Sequence, residues 1–345
     1  MHRIFLLLLL AAVLISPVQA AQSLPIPPEA SEYLPEQTDD FGQGLWEIAA
    51  KAAAALAPEL RQAVISCVGV LAAVILCALF QVGDGTDKAR TADILGAAAI
   101  AAMLLRPADA LIQEAVATVR AISDYGKLLL PVMGSALASS GGASASAGLY
   151  FGTALFDSVL MSVVSGLLAP AIYLFLALAV GAAAIGDPLL GRFRDFFKGF
   201  ITWGLKIVLY LFTGYMAITR VVSGTVDAAA IKAAKLTLSG MVPVVGGLLS
   251  DASETILVSA SVVRSASGVA GMLAVLSMAA GPFLRLGVQY LTLKLTSALC
   301  AIAGNSAHTA LTESFSQAMG LLLAMTGTGC LLQLISTVCM MKGVI

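Results

Sequence analysis

The stretch from Ser158 to Gly186 reads SVLMSVVSGLLAPAIYLFLALAVGAAAIG and carries no charged residue. About 20 predominantly apolar residues are enough for a helix to cross the hydrocarbon core of a bilayer. The stretch therefore predicts a membrane-spanning helix. Pro170 predicts a kink within it, because proline removes a backbone hydrogen bond. Asp187 and Pro188 predict the end of the span.

The rest of the chain has a similar character. Of the 345 residues, 59% are apolar and 11% are charged, and the mean hydropathy is +0.96. A typical soluble domain is about 45–50% apolar and about 25% charged, so a soluble chain of this composition would lack the polar residues to cover its surface. The formal net charge of −1 offers no basic field for nucleic acid. The apolar runs are continuous and not alternating, which favours helices over a transmembrane β-barrel.

These runs predict an all-α, polytopic transmembrane helical bundle of about seven spans, with a range of five to eight. Two segments have open alternatives. Residues 94–105 form either a short span or a re-entrant piece, and residues 128–156 contain a Gly/Ser/Ala stretch that predicts a loop or a broken helix. The other predicted spans are Gln62–Gly83, Gly199–Val222, Ser265–Leu284, Leu286–Gly304 and Ser314–Met341.

The N-terminus has the layout of a secretory signal peptide. A short basic start is followed by an unbroken apolar stretch from Ile4 to Ile15. Val18 and Ala20 then provide small residues at the −3 and −1 positions, so cleavage is expected after Ala20. The alternative is an uncleaved first membrane helix, for which the apolar stretch is short.

Residues 21–61 predict an extracytoplasmic leader that is rich in proline and acidic residues. Its proline cluster cannot continue a helix, whereas the Ala-rich part from Phe41 to Leu60 predicts an amphipathic helix near the membrane surface. Residues 62–345 then form the polytopic membrane domain.

Lysine and arginine in short loops predict the orientation. The densest basic cluster, Gly191–Lys198, and the segment Gly83–Asp93 are both placed in the cytoplasm. Lys342 places the C-terminus in the cytoplasm too, whereas a cleaved signal peptide places the mature N-terminus outside.

The block from residue 224 to residue 264 lies between the spans. Its first half predicts an amphipathic helix, with Lys232 and Lys235 on a different face from the apolar residues. Pro243 and a following glycine pair then break an apolar run, as in re-entrant segments and transporter sites.

The sequence Asp251-Ala252-Ser253-Glu254 has two readings. The spacing of its two acids is typical of a helix start with a capping box. The same acids could also contact a partner or a cation on the outer face, and both readings can hold. The candidate partner or port residues of the block are Asp227, Lys232, Lys235, Pro243, Gly246, Gly247, Asp251 and Glu254.

Lys206 and Arg285 are candidate intramembrane charges, because each lies within or between apolar stretches. Ionisable groups at membrane depth are costly and often line a pathway. The alternative is snorkelling, in which a long side chain reaches the membrane interface. For Arg285 snorkelling or a short turn between two spans is favoured, whereas for Lys206 the two readings stay open.

The run TVDAAAIKAAKLTLSGMVPVVGGLLSDASET, from Thr225 to Thr255, resembles the most recognisable block of the stage III sporulation protein AE family of endospore-forming bacteria. The order of signal peptide, acidic leader, first span and later spans is also similar, so the resemblance covers essentially the whole chain. It is strongest from Gly214 to Arg264.

The resemblance implies a non-enzymatic membrane component of a channel or secretion-like complex. Such a complex links the mother cell to the engulfed forespore and is needed for late forespore gene expression. The implied partners are other membrane proteins of the same complex, including one on the forespore side. The implied location is the mother-cell membrane around the forespore. The small-residue packing also leaves self-association open.

Catalytic constellations are missing from the sequence, and no cofactor or metal is predicted. His308 is the only histidine that remains after signal cleavage, so an H-E-x-x-H zinc motif is impossible. The five cysteines lie in apolar segments without a C-x-x-C pair and are expected to be small buried residues. The alternative function is an autonomous secondary transporter, for which the broken segment near Pro243 and Lys206 argue.

Overall fold

The computed structural model describes residues 27–35, 40–81, 86–139, 143–222, 266–302 and 306–342. Within these ranges every regular element is helical. A short 3-10 helix, Pro28–Ala30, precedes the long helices. These are α1 (Phe41–Gln81), α2 (Thr86–Ser139), α3 (Ala143–Val163), α4 (Ala169–Ile185), α5 (Pro188–Val222), α6 (Ala266–Ile302) and α7 (Ser306–Lys342).

Six helical segments in the described part of the chain are long and apolar enough to cross a membrane, counting α3 and α4 as one. This number lies within the predicted range and confirms a polytopic helical bundle. The separation of the predicted spans Ser265–Leu284 and Leu286–Gly304 was wrong, because residues 266–302 form the single continuous helix α6. Arg285 does not end the helix, since its charge is paired with carboxylates on other helices.

The structure bears on the alternatives that the sequence left open for residues 94–105 and 128–156. Residues 94–105 belong to the 54-residue helix α2, which also continues past Pro107 and Pro131. Helix α2 ends at Ser139 and α3 begins at Ala143, so a helix end and a helix start both fall within the Gly/Ser/Ala stretch, as the broken-helix alternative predicts. Residues 140–142 lie outside the described residues.

The kink predicted at Pro170 lies beside a π-helical turn. Residues Val164–Leu168 form this turn between α3 and α4, and Pro170 stands in the first turn of α4. Proline cannot donate to the preceding turn, and one-turn π-bulges are a known cause of helix bending. Gly186 ends α4 in the left-handed conformation, with φ of 74°. The Asp187 carboxylate then accepts a hydrogen bond from the Leu189 backbone at 2.8 Å, which begins α5.

Two predicted boundaries are crossed by continuous helices. Helix α1 passes through Pro58, so the predicted surface helix Phe41–Leu60 and residues 62–81 of the predicted first span form one continuous helix. The basic cluster Gly191–Lys198 is the first part of α5 and not a loop. Ahead of α1, Tyr33 is buried, and its ring packs on Gly281 of α6.

Helices that follow one another along the chain run in opposite directions, with α3 and α4 counting as one, so the bundle has two distinct ends. At one end Gly96 packs on His308, and Arg194 donates a hydrogen bond to Ser314 at 3.3 Å. At the opposite end Gly268 packs on Met341. The basic start of α5 and the end of α7 therefore lie at opposite ends of the bundle.

Helix α7 is the central element of the bundle. Within the most apolar 18-residue stretch of α7, 94% is buried inside the protein. Several of its buried hydroxyl groups bond within the helix: Thr326 donates to the Leu322 carbonyl at 3.0 Å, and Thr328 donates to the Ala324 carbonyl at 2.8 Å. Because these groups bond to their own helix, α7 can remain polar and still be surrounded by protein.

Candidate functional site

The eight candidate partner or port residues all lie outside the described residues. They belong to the block between α5 and α6, so the structure neither groups nor separates them. These residues are Asp227, Lys232, Lys235, Pro243, Gly246, Gly247, Asp251 and Glu254.

Arg285 is the centre of an ion-paired cluster that joins three helices. Its Nε atom donates to the Glu59 carboxylate on α1 at 3.1 Å. Its Nη1 atom donates to the Glu114 carboxylate on α2. The side chains of Arg285, Glu59 and Glu114 are 38%, 29% and 26% exposed, so the cluster is partly screened from solvent. Arginine suits this position because its planar guanidinium donates to two carboxylates at once.

The cluster has a net charge of −1, since one guanidinium faces two carboxylates. Its Arg285 lies near the middle of α6, at the point where the sequence indicated a break between spans. The observed pairing differs from both snorkelling and a short turn. It ties the middles of α1, α2 and α6 together.

Lys206 lies apart from that cluster, on an exposed face of α5. It borders an open groove of about 670 Å³ that is also lined by Arg194, Lys198, Trp203 and Gln317. The two candidate intramembrane charges thus belong to separate groups of side chains. The groove combines cations with an exposed tryptophan, a pairing typical of the membrane–water interface.

A second charge site, centred on Asp157, was missed by the sequence analysis. Asp157 is only 2% exposed. Its carboxylate accepts a hydrogen bond from the Ser123 hydroxyl of α2 at 2.9 Å. One helical turn away, Thr153 and Ser336 share a hydrogen bond of 2.7 Å between α3 and α7. The site therefore joins α2, α3 and α7 through side-chain hydrogen bonds.

The Gln333 amide packs against the same part of the bundle. A Cβ atom on Gly126 would lie 2.4 Å from Gln333 Oε1, so a side chain at this position would displace the amide. Gln333 is 1% exposed. Its Oε1 atom has no hydrogen-bond partner among the described residues.

Asp157 had a signal in the sequence. It stands alone between the uncharged stretches 128–156 and 158–186, and both were delimited so that it fell between them. A single acid inside a long apolar run is itself a marker of function at membrane depth. Its partner Ser123 could not be found in this way, because serine is unremarkable in a helix.

The outer face of α2 carries a further contact. Tyr173 Oη donates to the Asp109 carboxylate at 2.5 Å and accepts a hydrogen bond from Gln113 Nε2 at 2.9 Å. These contacts fix the level of Asp109 against α4.

The described residues contain no group of three or more His, Cys, Asp or Glu side chains that could hold a metal ion. The cysteines do not form disulfides. His308 is buried, and its Nε2 atom lies 3.2 Å from the Asp93 carbonyl oxygen. The imidazole ring of His308 therefore has a contact within the helix bundle.

The long apolar helices and the charge clusters between them define a multi-pass helical membrane protein. The model of the stage III sporulation protein AE family matches residues 32–343, so the chain belongs to this family. Stage III sporulation protein AE of Bacillus subtilis (strain 168) is 22% identical over 192 residues, which cover 54% of this chain and 47% of that relative. The match thus spans about half the length of the relative. None of the solved structures matches the chain.

Proposed function

We propose that this chain is a non-enzymatic membrane component of a channel or secretion-like complex that links mother cell and forespore during sporulation. The observation that carries the proposal is membership of the stage III sporulation protein AE family across residues 32–343. The complex would be required for late forespore gene expression. The chain would reside in the mother-cell membrane around the forespore.

The charge clusters support a structural role within such a complex. Arg285, Glu59 and Glu114 hold three long helices at a fixed level, and a partly buried charge cluster favours one register over slipped alternatives. A rigid bundle of this kind suits a subunit that must stay aligned with partners in two membranes.

The orientation follows from the basic end of the bundle. Arg192, Arg194 and Lys198 lie in the first turns of α5, and the positive-inside rule places this end in the cytoplasm. The start of α1 and the end of α7 then lie on the outer side. The predicted external N-terminus is retained, whereas the C-terminus moves from the cytoplasmic to the outer side.

Partners of the same complex are the expected ligands of the block 224–264. A copy of the chain carrying an affinity tag, purified from sporulating cells, is expected to bring other membrane proteins with it. Asp251→Lys and Glu254→Lys are expected to reduce this co-purification without lowering membrane insertion. If both variants co-purify the same proteins and sporulate normally, the block is not a partner surface.

An autonomous secondary transporter is the second candidate, and the buried carboxylate of Asp157 is the observation that favours it. Substrate uptake by the purified protein alone in liposomes would support the transporter. Inert liposomes, together with robust co-purification of other membrane proteins, would support the complex.

A further inference from the structure

Between Arg106 and Lys127, one exposed face of α2 is polar. The exposed polar side chains are Arg106, Asp109, Gln113, Arg120, Asp124 and Lys127, here called the α2 stripe. Their spacings of three, four or seven residues place them on one side of a helix. On the other side of α2 the side chains of Ile112, Ala115, Val119 and Ile122 are buried in the bundle.

Contacts across the bundle fix the level of this stripe. Asp109 is hydrogen-bonded to Tyr173, so the Asp109 end of the stripe lies at the same depth in the bundle as Leu174, which follows Tyr173 in the chain. Ser123 precedes Asp124 and is hydrogen-bonded to Asp157. The Asp124 end of the stripe therefore lies at the same depth in the bundle as Val159, two residues after Asp157.

The outer surface at these same levels is apolar on the neighbouring helices. Leu174 is 50% exposed and Val159 is 42% exposed. Phe156 packs edge-on against Phe212 of α5, which brings Leu211 to the same level, and Leu211 is 61% exposed. One side of the bundle is therefore suited to lipid, whereas the α2 stripe at the same depth is not.

Lipid is an unfavourable environment for the α2 stripe. A charged side chain at the centre of a membrane helix is costly to insert. From Arg106 to Lys127 the helix rises about 31 Å at 1.5 Å per residue, which is close to the roughly 30 Å hydrocarbon core. Snorkelling serves the two ends of the stripe, but the short side chains of Asp109 and Asp124 lack the reach for it.

A complementary protein surface is also disfavoured, because the charges already have local partners. Lys127 pairs with Asp124 at 2.8 Å within the stripe. Asp109 is bonded to Tyr173. Along the stripe the charges alternate in sign, with Asp109 after Arg106 and Asp124 between Arg120 and Lys127, so the face has no single charge to match. Water satisfies such a face without requiring a partner of opposite pattern.

We propose that the α2 stripe lines a water-filled path across the membrane, which other subunits of the complex close on the remaining sides. The inference rests on the proposed function, since a lone bundle would leave the stripe against lipid. Glu114, the Arg285 ligand, immediately follows Gln113 in sequence, so the ion-paired cluster lies at the edge of this path.

The test is thiol accessibility in sporulating cells that contain the complete complex. Gln113→Cys and Arg120→Cys report on the α2 stripe, and Ala117→Cys reports on the exposed position between them. Val159→Cys, Leu174→Cys and Leu211→Cys are controls at matched levels. Membranes are treated with a charged, membrane-impermeant methanethiosulfonate, and modification is followed by mass spectrometry at each position. The parent chain, whose five cysteines are free, gives the background. Only variants with parental abundance and protease resistance are compared.

The proposal expects the stripe cysteines to react at least about tenfold faster than the controls, because the reactive thiolate forms poorly in apolar surroundings. Slow reaction at the stripe would overturn the proposal, since the face would be covered by lipid or protein. Equally fast reaction at the controls would also overturn it, because the whole level would then lie outside the membrane. These outcomes are independent of the sporulation phenotype, so a failure here is distinguishable from a failure of the proposed function.

Discussion

The Nε atom of Arg285 lies 3.1 Å from the Oε1 atom of Glu59, although 226 residues separate the two in sequence. The same guanidinium also binds Glu114. This pairing lets α6 continue through a charge, because the cost of removing the guanidinium from water is offset by two carboxylates. The side chain of Arg285 therefore connects α1, α2 and α6.

Replacing Arg285 is expected to destabilise the bundle. Arg285→Met leaves two carboxylates facing each other, and we expect a loss of about 1–3 kcal/mol, below the 3–5 kcal/mol of a fully buried pair because these side chains are partly exposed. The measurement is the midpoint temperature for loss of monodisperse protein in detergent. Lys127→Met is the matched control, since its pair with Asp124 is largely exposed and is worth about 0–1 kcal/mol.

Removing the acids should restore part of that loss. A triple variant with Glu59→Gln, Glu114→Gln and Arg285→Met is expected to melt above Arg285→Met alone, since the repulsion between carboxylates is gone. A triple variant that melts lower than the single variant would show that the cluster does not act through its charges.

The Ser123–Asp157 contact predicts different effects for two small changes. Ser123→Ala removes a hydroxyl that donates to the buried Asp157 carboxylate, and we expect a cost of about 1–3 kcal/mol. Asp157→Asn retains an oxygen acceptor for Ser123 and is expected to be neutral or stabilising. Thermal melting in detergent measures both. The order of effects would be reversed if Asp157 were held by a cation that needs its charge.

Close helix packing makes Gly152 sensitive to a single methyl group. A Cβ atom there would lie 1.9 Å from Cε1 of Tyr215, whose hydroxyl is bonded to the Gly148 carbonyl at 2.8 Å. Gly152→Ala is therefore expected to lower stability by about 1–3 kcal/mol, because Tyr215 must leave its site. Gly214→Ala is the control, since nothing lies within 4 Å of its added methyl group. Equal melting temperatures for the two variants would contradict the close contact between α3 and α5.

The proposed orientation predicts that the C-terminus lies on the outer side of the mother-cell membrane. A C-terminal alkaline phosphatase fusion is expected to be active, and a green fluorescent protein fusion is expected to be dark. A fluorescent fusion with inactive phosphatase would place the end of α7 in the cytoplasm. It would also contradict the assignment of the basic start of α5 to that side.

The sequence predicts an isolated apolar run well and a paired charge poorly. Ser158–Gly186 was recognised because its length and lack of charge are local properties, and Pro170 coincides with a local disturbance of the helix. Arg285 was misread because a charge between apolar runs usually marks their boundary, and its partners lie 226 and 171 positions away. No local pattern reports such distant contacts.

The candidate site was only partly accessible from sequence for the same reason. Lys206 and Arg285 stood out as single charges, but their separation into a groove and an ion-paired cluster depends on helix packing. Asp157 was visible as a lone acid and was passed over at a span boundary. The polar stripe of α2 required levels set by Tyr173 and Ser123, which only the three-dimensional arrangement provides.

We propose that this chain serves a complex that links mother cell and forespore, and a clean deletion in the native host tests this role. The deletion strain is scored with a late forespore-specific transcription reporter after engulfment. The reporter signal is expected to be lost and to be restored by expression in the mother cell only. A normal reporter signal with normal spore yield in the deletion strain would rule this role out.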